Sequence, residues 1–223
     1  MMFKNIYVDL CDTLIKGNTT FIFLDSFFSH NKNTRYWHYR KISSLFIVRA
    51  IFKLLFAAKV DLNRKIAVRF LNGYDAHLLK EHVNWMLLNN LFIENQELAA
   101  ALRYAKSQNI SVTIVSASLD FIVQTIACQY SFDYYSSELK YENEICQGRL
   151  ALDLLFEKEK MFFELEKDNR CYCFISDNVQ DVEILKSCDY GYGVPTLKNK
   201  ASFLNNNIEI INYDKLINLI KSE

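Results

Sequence analysis

Residues 171–185 read CYCFISDNVQDVEIL, a short apolar run that ends at Asp177 with Asp181 four residues later. A β-strand carries its side chains alternately, so an apolar run closing on a carboxylate releases that group at the mouth of a sheet. If the chain turns into a helix just after Asp177, Asp181 lies on the same face. Residues 5–15, NIYVDLCDTLI, repeat the pattern, with Asp9 closing the run. Carboxylates gathered at strand ends supply the hard oxygen ligands that a water-retaining Mg²⁺ takes. This is the layout of a Mg²⁺-assisted phosphoryl-transfer site.

Working outward, ISVTIV (110–115) reads as a third strand, and helix-like segments follow at 118–129 and 179–187. DYGYGV and IEIIN read as further strands and YDKLINLIKS as a closing helix. Strands alternating with helices predict a parallel sheet covered on both faces, an α/β, Rossmann-like doubly wound fold. Residues 138–150 predict a β-hairpin turning near Glu142 and Asn143. Between the first and second strands lie helical pieces at about 19–30, 36–58, 61–71, 75–90 and 94–108, with Asp75 and Asn95 as N-caps. The expected organisation is a core of residues 1–17 and 106–223 with a helical cap, 18–105, over the strand ends.

The 223 residues suffice for one core with an insertion. Lys and Arg balance Asp and Glu at 26 each, which argues against a dedicated nucleic-acid binder. Residues 18–105 nevertheless hold 12 Lys/Arg against 6 Asp/Glu, and between 32 and 65 only Asp61 opposes nine cations. Such an excess raises the local concentration of anionic ligands, so a small anionic phosphorylated substrate is the expected partner. All four histidines fall in the cap, which leaves none in the sheet for a Ser–His triad or zinc cluster. Six cysteines set mostly in apolar segments, with no visible leader peptide, read as buried free thiols in a reducing, cytoplasmic setting. The stretch LFIVRAIFKLLFAA (45–58) is too short to span a bilayer and is interrupted by Arg49 and Lys53. It reads as an amphipathic cap helix packed on its neighbours in preference to an interfacial helix, the membrane alternative.

Two further pieces join the carboxylates. Ser116 ends the second strand, where its hydroxyl and the following N–H groups could hold a phosphate; Ser118 reads as the helix N-cap. Lys158 or Lys160, in LLFEKEKMFFEL, offers a cation for the transferring oxygens. Asp9 strand, Ser116 strand, lysine and acidic pair follow one another in the order of the haloacid dehalogenase-like superfamily, and the chain most resembles its phosphoserine-phosphatase-like branch. The resemblance implies Asp9 as the nucleophile that becomes an aspartyl phosphate, Thr13 as orienter of its loop, and Ser116 as phosphate ligand. It also implies Lys160, or failing it Lys158, as the bridge between phosphate and Asp9. Mg²⁺ would be held by Asp9, the Cys11 backbone carbonyl and Asp177, with Asp181 ligating or supporting.

One position departs from that family. The residue two after the nucleophile is normally a second Asp, the general acid and base; here it is Cys11, and Asp12 takes the place usually held by Gly. Acid–base assistance is worth about 10²–10⁴-fold. A thiol beside Asp9 and phosphate can donate a proton but is a poor base towards water. Asp12 is the candidate catalytic replacement if the loop is re-routed, although its side chain should start on the other face. The expectation is therefore a slow Mg²⁺-dependent phosphomonoesterase, with a phosphate- and metal-binding regulatory protein as alternative. A dehalogenase-type hydrolase is disfavoured because the acidic pair is retained.

Overall fold

The computed structural model describes residues 5–166 and 172–221. Its seven strands are β1 (Asn5–Val8), β2 (Ser111–Leu119), β3 (Asp133–Glu142), β4 (Ile145–Leu152), β5 (Cys173–Ser176), β6 (Tyr190–Gly193) and β7 (Glu209–Ile210). They form one sheet in the order β4-β3-β2-β1-β5-β6-β7. Every neighbouring pair is parallel except β3 with β4, the predicted hairpin. Asn143 and Glu144 turn it, both with positive φ (50° and 65°), the backbone whose twist matches that of the flanking strands.

The three apolar runs are strands because they are buried on both sides. In β1, Ile6 and Val8 face one core and Tyr7 the other; in β5, Cys173 and Ile175 face the first and Phe174 the second. On the first face lie α6 (Gln96–Ser107), α7 (Asp120–Tyr130) and α11 (Tyr213–Lys221). On the second lie α8 (Lys158–Leu165), α9 (Val182–Ser187) and α10 (Lys200–Asn205). β1 sits centrally, with β2 on one side and β5 on the other, so the connections diverge around it. A doubly wound sheet opens its crevice at such a point, beyond the carboxyl ends of the strands. Gly191 permits tight closure on the second face, since a Cβ there would stand 2.0 Å from the Leu185 carbonyl oxygen.

The insertion contains α1 (Thr19–His30), α2 (Thr34–Ser43), α3 (Phe46–Ala57), α4 (Leu62–Arg69) and α5 (Ala76–Leu88) ahead of α6. Asp75 caps α5 by accepting from the His77 N–H at 2.8 Å, and Asn95 caps α6 by accepting from the Leu98 N–H at 3.4 Å. The single helix expected over 36–58 is two, broken where Leu45 turns extended and α3 starts afresh. The packed amphipathic helix expected there is met only in part: α3 runs beside α2 and α4, yet none of its residues is buried. Among the described residues no helix is long and apolar enough to cross a membrane.

Tyr36 is fully buried and donates to Asp25 at 2.6 Å, so it belongs to the helical core, while Trp37 is partly exposed. The free-thiol expectation fails at Cys188, which is disulfide-bonded at the point where α9 returns the chain to the start of β6, beside β5. Cys11, Cys128, Cys146 and Cys173 are free, Cys128 being exposed. Thiol usage therefore gives no argument for a reducing compartment. Cys171 lies outside the described residues.

His82 is buried in α5 among Phe23, Phe27 and Trp85, and its Nε2 lies 3.0 Å from the Ser26 hydroxyl. Burial, with His30 nearby, pulls it from 6.5 to about 4. Between those values the unfolded chain takes a proton that the folded chain refuses, so this group removes stability as pH falls from 6.5 towards 4. Urea midpoints at pH 7 and pH 5 should separate less in His82→Gln than in the wild type.

Candidate active site

Asp9 continues the β1–β5 ladder by one residue, its N–H donating to the Ile175 carbonyl at 2.9 Å, and so stands at the crevice. The side chain is buried, and its Oδ1 lies 3.2 Å from Lys158 Nζ. Lys158 opens α8 and also donates to Asp181 Oδ2 at 2.7 Å; the Ser176 hydroxyl donates to the same oxygen at 2.6 Å. Lys160, the lysine preferred on helical pattern, is exposed on α8. The helix begins at Lys158 itself, where the sequence pattern suggested a start after Lys160, and Lys158 lies buried in its first turn. Asp181 is thus paired with Lys158 and buried beneath it.

Burial pushes Asp9 up to about 6, with Lys158 partly opposing. Burial alone would pull the Lys158 ammonium down, but Asp181 and Asp9 together hold it above its usual range. It is a cation at any physiological pH.

Thr13 and Asp177 lock the two strand-end loops together. The Thr13 hydroxyl donates to Asp177 Oδ1 at 3.0 Å, and the Asp177 N–H donates to Thr13 Oγ1 at 2.8 Å. Asn199, buried ahead of α10, donates to the Asp177 carbonyl at 2.5 Å and to the Val194 carbonyl at 3.0 Å. Burial, then repulsion from Asp9, pushes the Asp177 carboxyl up to about 7.

The substituted position is occupied by a well-surrounded thiol. Cys11 Sγ accepts from the Thr19 N–H at 3.4 Å and lies 3.3 Å from the Thr19 hydroxyl and 3.5 Å from the Ser118 hydroxyl. Burial, and Asp9 behind it, push the thiol up. Asp12 adopts φ 54°, left-handed backbone that explains the family's usual glycine and that Asp tolerates. Its Oδ1 accepts from the Gly17 N–H at 2.7 Å, so it staples its own loop. Ser118 is not the helix N-cap: β2 runs to Leu119 through an irregularity after Ser116, and Leu119 precedes α7. That irregularity turns both serines to the crevice, and Ser116 Oγ accepts from the Ser118 N–H at 3.2 Å.

Asp9, Cys11, Asp12, Ser116, Lys158 and Asp177 line one cavity of about 210 Å³. Arg64, from the cap helix α4, also lines it. It is buried and paired with Asp153 at 2.6 Å, and it donates to the Ala117 carbonyl. Neither Arg64 nor Asn199 was singled out from sequence. Arg64 is one cation in a basic run, distinguished only by standing three residues after the N-cap Asp61.

The donor set fits a hard divalent cation. Two crowded carboxylates, Asp9 and Asp177, are both raised in pKa, and Asp177 has no ion-pair partner among the described residues. No three His, Cys, Asp or Glu side chains converge there among the described residues, so a cation held there would take backbone carbonyl and water as its further ligands.

Comparison with known proteins agrees with this architecture. The haloacid dehalogenase-like hydrolase family model matches residues 7–186, and the chain belongs to that family. A haloacid dehalogenase family hydrolase from Salmonella enterica subsp. enterica serovar Typhi superposes with a TM-score of 0.64 at 17% identity, covering 94% of this chain and 67% of that one. A protein of unknown function from Bordetella pertussis Tohama I superposes at 0.66 with 14% identity, covering 95% and 100%. Phosphoserine phosphatase from T. onnurineus superposes at 0.58 with 13% identity, covering 99% and 95%. No curated protein matches the chain in sequence.

Proposed function

We propose that the chain is a Mg²⁺-dependent phosphomonoester hydrolase that acts on a small phosphorylated metabolite through an aspartyl phosphate on Asp9. The observation that carries this reading is the buried Asp9–Lys158–Asp181 arrangement at the central strand, facing Asp177 and Ser116. A dianionic phosphate approaches a carboxylate only where cations offset the repulsion. Lys158 supplies one such charge at the attacking oxygen, and bound Mg²⁺, held by Asp9, Asp177 and the Cys11 carbonyl, would supply the other. The Ser116 hydroxyl holds a phosphate oxygen. An Asp9 oxygen attacks phosphorus, the bond to the ester oxygen breaks, and that oxygen leaves with a proton. Water then attacks the acyl phosphate, returning the carboxylate and releasing inorganic phosphate. We take the cap as 18–95, because α6 packs on β2 and α11 with the sheet.

Cys11 makes the two steps unequal. Protonating the leaving oxygen needs only a proton source, whereas activating water needs a base, and a raised thiol is not one near neutral pH. Rapid quench with a good substrate and Mg²⁺ should show a burst of about one phosphate equivalent followed by slow turnover, the mark of a covalent intermediate. Cys11→Asp places a carboxylate among the Thr19 N–H and the Thr19 and Ser118 hydroxyls and should accelerate the slow phase by about 10²-fold. With no phosphate release from any metabolite in a broad screen, with or without Mg²⁺, the regulatory binding protein becomes the better account.

A further inference from the structure

The outer face of α3 is apolar and uncovered. Phe46 is 85% exposed, Ile47 and Leu54 72% each, and Ile51 49%; with Ala50 they follow i, i+1, i+4, i+5, i+8 spacing, one face of one helix. Ile42 and Leu45, just ahead, are each 57% exposed and extend the patch. The inward positions, Val48, Phe52 and Leu55, are only partly covered by α2 and α4. Packing therefore accounts for one side of α3 and leaves the larger apolar side to solvent, which soluble surfaces rarely tolerate.

The charge beside this face is of one sign. Arg49 and Lys53, one turn apart, flank it, and Lys41 lies at its N-terminal side; none of the three is in an ion pair among the described residues. By contrast the inward-lying Arg40 and Arg64 are paired with Asp25 and Asp153. The lone acid of this stretch, Asp61, is used as the N-cap of α4. Lys41 and Arg49 share a surface cavity of about 680 Å³ with the hydroxyls of Ser43 and Ser44. A bare apolar face edged by unpaired cations matches an anionic bilayer, where acyl chains cover the one and headgroup phosphates neutralise the other.

We propose that α3, with the end of α2, is an interfacial docking helix that seats this protein on anionic lipid bilayers. The inference stands apart from the chemistry of the site and holds whatever the substrate. Co-sedimentation of the full chain with mixed phosphatidylcholine–phosphatidylglycerol vesicles should show binding at low salt that weakens as salt rises, and little binding to phosphatidylcholine alone. Ile47→Glu/Leu54→Glu should weaken binding at least about tenfold by removing the inserted side chains. Arg49→Glu/Lys53→Glu should do so by at least about tenfold on the anionic vesicles. All four positions are exposed, so both variants should keep the wild-type melting temperature. Failure of the wild type to bind anionic vesicles at low salt overturns the proposal, as does undiminished binding by Ile47→Glu/Leu54→Glu. So does a wild-type dimer in sedimentation that these same substitutions dissolve, because the face would then be covered by a second copy.

Discussion

Asp9→Asn should abolish phosphate release while leaving the fold intact. The amide is isosteric, and Lys158 keeps its second partner, Asp181, at 2.7 Å, so no buried charge is stranded. What disappears is the attacking oxygen anion, and losing a covalent nucleophile costs turnover on the order of 10⁴-fold or more. The measurement is phosphate release with the best substrate of the screen, alongside acid-quench trapping of phosphoprotein, which should be present in the wild type and absent in the variant. Near wild-type turnover by Asp9→Asn would falsify the aspartyl-phosphate route.

Lys158→Met should cost less than that but still a large factor, and Lys160→Met should do nothing. The Lys158 ammonium is the cation nearest the attacking carboxylate, 3.2 Å away, and removing one preorganised charge of this kind lowers kcat by roughly 10²–10³-fold. It also leaves Asp9 and Asp181 facing one another in a buried site, which costs stability of about 3–5 kcal/mol. Measuring urea denaturation beside kinetics separates the two effects: protein shown to be folded and still inactive reports the lost charge. Lys160 is solvent-exposed two residues along the same helix, so its substitution controls for charge alone. Equal losses in the two variants would mean that the lysine assignment rests on the wrong side chain.

The sheet was legible because its strands are buried on both faces and read as unbroken apolar runs ending in Asp9, Ser116 and Asp177. Helix N-caps at Asp75 and Asn95 were legible for a local reason, the side-chain oxygen accepting from an N–H two or three residues on. What failed needed tertiary information. Lys158 and Lys160 differ by two residues on a helix whose first turn is set by the Leu154 carbonyl, which accepts from the Lys158 N–H at 3.0 Å. No periodicity in EKEK marks that start. Ser118 carries an N-cap residue type, but the irregular end of an interior strand, not a helix, claims it. Arg64 and Asn199 act across chain separations that a single sequence does not display: Arg64 reaches the Ala117 carbonyl and Asn199 the Asp177 carbonyl.

The Thr13–Asp177 lock has a consequence for how this chain can evolve. It holds Asp177, a carboxylate with no countercharge among the described residues, against the repulsion of Asp9 and against burial, both of which favour losing that charge. The site is therefore a standing debt of the fold, tolerated for the sake of activity, as catalytic constellations commonly are. A duplicate of this chain freed from its reaction would gain stability by exchanging Asp177 for an amide, which keeps an oxygen to accept the Thr13 hydroxyl.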